Sequence, residues 1–80
     1  MNFRIIKATK TRPAVLLYRE SFSDGDNGVM IKTFGKDSEG EQNSWEDTIT
    51  INDSLLEQKY ISDFSEATAD AWCKDRNINP

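Results

Sequence analysis

The side chains of this sequence that could do chemistry are carboxylates, amines, guanidiniums and a single thiol, because it contains no histidine. That composition removes the commonest general base, the usual nucleophilic triads and most transition-metal sites. Cys73 stands alone, which excludes cysteine–histidine catalysis, a zinc site and an intramolecular disulfide. Beside Trp72, it reads as a small, partly buried side chain and not a reactive thiol. The run Asp24-Gly25-Asp26-Asn27-Gly28 approaches a calcium loop in composition, but its fifth position is glycine and its twelfth, where a bidentate Glu is needed, is Gly35. A hairpin turn is the expected reading. Glu39, Glu41, Glu46 and Asp47 could pair for acid–base work, yet they occupy a polar stretch with no apolar pocket to move their pKa values. No phosphate-binding loop or dinucleotide fingerprint occurs. The sequence therefore predicts no catalytic site, no cofactor and no bound metal.

What remains is recognition. Lys36 to Asp47 (KDSEGEQNSWED) is the most polar segment and carries one residue out of place, Trp45. A tryptophan in an acidic loop either packs at the rim of a sheet or is held out for a partner. In the second case Glu39, Glu41, Trp45, Glu46 and Asp47 form a protein-binding surface, with Trp45 as the aromatic anchor and complementary charge setting the orientation. The alternative surface is basic. The chain carries a net charge of −4, but residues 1–20 hold Arg4, Lys7, Lys10, Arg12 and Arg19 against Glu20 alone, a balance of +4. Residues 21–80 hold the other five basic and thirteen acidic side chains, a balance of −8. A two-stranded ribbon presenting those five cations would suit a nucleic-acid groove, although the acidic total opposes nonspecific binding by the whole surface.

These residues must be positioned by an α+β fold. Asn2 to Ala8 and Ala14 to Glu20 read as two strands of a hairpin whose tip is basic. Val15, Leu17 and Arg19 should share one face and Leu16 and Tyr18 the other. Val29 to Phe34 alternates as a third strand, Lys36 to Asp47 reads as a solvated loop, and Thr48 to Ile51 as a short fourth strand. Ser54 to Ile61 is compatible with strand or helix; we expect a short strand or turn. Ser62 to Asn77 carries Phe64, Ala67, Thr68, Ala71 and Trp72 at helical spacing, with Asp63, Ser62 or Ser65 available as the cap. The expected architecture is an antiparallel meander of three to five strands, packed on one face by a single C-terminal helix.

The stretch Phe64 to Trp72 (FSEATADAW) resembles the start of the single helix in the three-stranded amino-terminal DNA-binding domains of phage integrases. That resemblance implies DNA binding; an extra strand, a long acidic loop and an acidic total set the chain apart from that family. By size and charge, small acidic α+β chains of this kind also resemble the accessory and inhibitory proteins that phages and other mobile elements encode. This second resemblance implies a protein partner. Eighty residues, 36% of them hydrophobic, make one domain over residues 1–80, with a small core that gains stability from a partner or from a homodimer. No apolar run reaches the ~18 residues that suggest a membrane span. With no signal-peptide pattern at the N-terminus, the expected location is the cytoplasm.

Overall fold

A computed structural model describes residues 3–21, 25, 27–51 and 54–80, with the backbone alone at 50, 51 and 54–57. Its elements are β1 (Phe3–Ile6), β2 (Val15–Ser21), β3 (Asn27–Lys36), β4 (Gln42–Ile51), α1 (Ser54–Asp63) and α2 (Glu66–Asp75). The strands form one antiparallel sheet in the order β1-β2-β3-β4, each paired with its neighbour in the chain. The fold is α+β. Asp24 and Asp26 of the candidate turn, and Asp53, lie outside the described residues.

The alternation read in β2 and β3 holds. Arg4, Ile6, Val15, Leu17, Val29, Ile31 and Thr33 share one side of the sheet through the registers Arg4↔Leu17, Ile6↔Val15, Val15↔Thr33 and Leu17↔Ile31. The apolar members of this side pack with Ile61, Phe64, Ala69, Trp72, Cys73 and Ile78 into the core. Both helices therefore cover the same face, and neither covers the opposite one.

Three expectations need correction. The polar segment is not a loop as far as Asp47: β4 begins at Gln42 and runs ten residues against β3. Its turn occupies only 37–41, where the Asp37 carboxylate accepts the N–H groups of Glu39 and Glu41 and the side-chain amide of Asn43. Gly40, at φ 84°, supplies the left-handed residue this turn requires. Polar composition misleads here because β4 is an edge strand with one face in solvent, so pairing with β3, not burial, holds most of it in place.

The C-terminal helix is also not single. Ser54–Asp63 is helical, in keeping with its Leu, Glu, Gln and Lys content. Ile61 is buried, and Tyr60 meets Phe64 edge to face at 5.7 Å. Arg4 Nη1 donates to the carbonyls of Ser62 and Phe64 at 2.7 and 2.5 Å, placing a cation where the helix dipole favours one.

The third correction concerns the face of α2. Ser65 is the N-cap, its Oγ accepting the Thr68 N–H at 3.2 Å. Asp63 closes α1 instead of capping α2. Phe64 thus precedes the helix, and the stripe turned inward is Ala69, Trp72 and Cys73, while Ala67, Thr68 and Ala71 are exposed. Counting Phe64 as a helical position rotated the expected stripe away from the true one.

α2 ends on Asn77 at φ 55°. The Ile78 N–H returns to the Cys73 carbonyl at 3.0 Å and the Asn77 N–H to Lys74 at 3.2 Å, a left-handed C-cap with asparagine in the usual glycine position. Asn79 then exchanges two 2.9 Å backbone bonds with Lys36. Gly35 makes this possible: a Cβ there would lie 2.5 Å from the Asn79 carbonyl oxygen and 2.7 Å from Ile78 Cγ2. Gly35→Ala should therefore lose about 1–3 kcal/mol by overpacking. Thermal melting checks this, and an unchanged midpoint would show that residues 78–80 are not seated against β3.

Candidate functional site

The structure divides the acidic candidates among three places. Glu39 and Glu41 are exposed in the β3–β4 turn. Glu46 lies on the open side of the sheet opposite Lys32, with Oε1 2.9 Å from the Lys32 ammonium. The hydrogen bond and charge of Glu46 raise the Lys32 pKa. Trp45 and Asp47 lie on the helix side, where Trp45 is half-buried against the core. Asp47 accepts from Arg76 Nη2 and, at 3.4 Å, from Trp72 Nε1. The Arg76 guanidinium stacks 4.4 Å over the Trp72 ring. Asp47 thus ties α2 to the edge strand. Trp45 and Glu46 point to opposite sides of β4, as successive strand residues must.

The basic candidates divide as well. Arg12 is 2% exposed; its Nε pairs with Asp70, and Nη1 donates to the carbonyls of Lys7 and Pro13 at 2.7 and 3.2 Å. Arg4 binds the end of α1, and Arg19 is half-buried on the helix side. Lys7 and Lys10 are exposed in the β1–β2 connection. The five cations do not share a surface. Charge counting along the sequence cannot distinguish a guanidinium that points into solvent from one whose donors are taken up by backbone carbonyls.

The surface that sequence reasoning missed is the open side of the sheet. Its rows follow from register: Phe3, Tyr18, Met30 and Thr48 lie side by side, and Ile5, Leu16, Lys32 and Glu46 form the next row. Phe34 follows Lys32 along β3, and the Lys32 ammonium sits 5.1 Å from its ring centroid. Phe3, Ile5 and Phe34 are 52%, 57% and 66% exposed. Among the described residues, no helix covers them. The signal was present in the chain: Phe3, Ile5, Leu16, Tyr18, Met30 and Phe34 all fall on the strand face opposite the core set, and a single helix pair cannot cover both faces of one sheet.

No family model, no curated protein and no solved structure matches this chain. The chemistry of the surface must therefore carry the reading. Among the described residues, no three Cys, Asp or Glu side chains gather as a metal ion would need. No helix among them is long and apolar enough to cross a membrane. Burial pushes the Cys73 thiol pKa up, which disfavours the thiolate. An open groove of about 460 Å³ lies between the ends of β3 and β4, lined by Phe34 to Lys36, Gln42 to Ser44 and Pro80. It is continuous with the exposed sheet face at Phe34, and no Asp or Glu side chain lines it. A second, of about 380 Å³, lies over Arg12 and Asp70, whose charges are already committed to each other.

Proposed function

We propose that the chain is a small non-enzymatic protein-binding module, an inhibitor or adaptor of the kind phages and mobile elements encode, acting in the cytoplasm. The observation that carries this reading is the open sheet face, with Phe3, Ile5 and Phe34 more than half exposed on one side of a sheet whose other side is packed. Contiguous exposed apolar surface rimmed by polar residues is characteristic of protein docking sites. Exposed Ile5 and half-buried Leu16 give it an apolar centre over the buried Met30, and its rim carries Lys32, Glu46 and Thr48, the apolar-centre, polar-rim pattern of specific interfaces. Glu39 and Glu41, in the turn at one end of this face, remain candidates for orienting a basic partner. Trp45 and Asp47 face the helices and lie off this surface.

Affinity capture with wild type, Phe34→Lys, Trp45→Ala and the Glu39→Lys/Glu41→Lys pair tests the assignment. Partners should be lost with Phe34→Lys and retained with Trp45→Ala. A partner set unchanged by Phe34→Lys would remove the sheet face from consideration, and loss with Trp45→Ala alone would return the contact to β4.

The nucleic-acid alternative has Lys7 and Lys10 as its exposed cations, with Arg4 and Arg12 engaged in the fold. An anisotropy titration on mixed DNA and RNA at about 50 mM salt, which favours phosphate contacts, decides it. Absence of binding there eliminates the alternative.

A further inference from the structure

We infer that the open sheet face is occupied by a second copy of this chain, the two sheets stacking face to face with the helices outside. This rests on the reading of that face as a protein-docking surface and names its occupant. Size is the first argument. At the usual strand spacing and rise, a sheet of these lengths offers a footprint on the order of 500 Å², about a tenth of the 5334 Å² surface of the chain. Protruding side chains such as Phe3, Ile5 and Phe34 raise the accessible area towards the ~800 Å² per partner of a standard specific interface. That is enough for a micromolar dimer and too little for an obligate one.

Charge is the second argument. The strand residues pointing to this side carry Glu20 and Glu46 against Lys32 and Lys36, so the face is neutral although the chain carries −4. All of the net negative charge therefore lies elsewhere. Two identical acidic chains repel least where the contact itself is neutral and apolar, and this face is such a place. A basic foreign partner would instead be drawn to the carboxylates off the face. Two helix-backed sheets packed about 10 Å apart form a four-layer arrangement of ordinary geometry.

The two kinds of complex respond oppositely to salt. Screening weakens the long-range repulsion between like-charged copies, so a dimer through this face should tighten as salt rises, whereas a charge-steered complex with a basic partner should loosen.

Sedimentation equilibrium of the full chain across micromolar concentrations, at low and high salt, tests the inference. The expected mass rises from 9.1 kDa to twice that, more readily at high salt. Ile5→Lys and Phe34→Lys, both at exposed positions, should weaken association at least about tenfold, the loss of one good contact, while melting as wild type does at low concentration. Ala67→Lys, exposed on α2, should leave it unchanged. A wild-type chain that stays monomeric throughout overturns the inference; if capture of another protein is still lost in Phe34→Lys, the docking reading survives with a different occupant. A dimer indifferent to both sheet-face variants, or one that loosens with salt, overturns the inference as well and places the contact elsewhere.

Discussion

Replacing Trp72 with alanine is expected to leave most molecules unfolded at room temperature. The side chain is 8% exposed within the core, and truncating a buried tryptophan costs about 3–5 kcal/mol in transfer and cavity terms. A domain of this length has a total stability on the order of 5 kcal/mol to draw on. Two further links are lost with the ring: the Nε1 hydrogen bond to Asp47 and the surface on which the Arg76 guanidinium stacks. Asp47 and Arg76 keep each other, so the loss should be dominated by packing. Urea unfolding followed by circular dichroism reads the effect directly. Trp72→Phe, which keeps an aromatic ring and removes the N–H, should fall well short of it. A near-native midpoint for Trp72→Ala would mean that α2 does not rest on the sheet through this residue.

Arg12→Ala is expected to be nearly as severe, at about 2–4 kcal/mol, below the upper range for breaking a buried ion pair because the surviving carboxylate can rehydrate. Asp70 is the partner in question, and its side chain is 57% exposed. The carbonyls of Lys7 and Pro13 lose their shared donor, and the volume of a nearly fully buried side chain is left empty. Arg12→Lys should not restore stability, since an ammonium lacks the planar fork that serves Asp70 and the two carbonyls together. Asp70→Ala tests the same link from the other end, leaving the guanidinium buried without its counter-charge. Thermal melts of the three variants distinguish a structural arginine from a contact residue. If Arg12 served nucleic acid, its replacement would reduce binding and leave the melting temperature unchanged.

The contrast between Arg12 and Val15 shows what a sequence of this kind does and does not display. Val15, Leu17, Val29 and Ile31 are legible because strand periodicity is set by covalent geometry: alternate side chains must point the same way. Arg12 is illegible because its burial depends on Asp70, fifty-eight positions away, and on carbonyls whose direction only the folded turn defines. Trp45 and Asp47 fail for a related reason. In a segment as polar as 36–47 no apolar alternation marks a strand, and what makes β4 a strand is the complementary edge of β3 together with the Asp37 turn. The mis-phased stripe of α2 arose from one residue, Phe64, buried at helical spacing but anchored before the Ser65 cap. As for the candidate interaction surface, its residues were visible as the second face of each strand. Their exposure was not, because it depends on both helices choosing the other side.

The order in which the strands pair bears on how this chain folds. Every strand joins its immediate successor, so the sheet can zip together hairpin by hairpin through short loops whose closure costs little entropy. The contacts that seat α2 are of another kind, joining Arg12 to Asp70 and Lys36 to Asn79 across most of the chain. Local hairpins form in microseconds, and contacts of high sequence separation come later because their loops must first be closed. The meander is thus the early part of the folding reaction and the docking of α2 the late part. In the interval before α2 arrives, the face bearing Val15, Leu17, Val29 and Ile31 is incompletely covered while the opposite face is open, and the nascent sheet presents apolar surface on both sides. The negative charge concentrated in residues 21–80 then acts kinetically, holding such half-formed chains apart until the second layer closes.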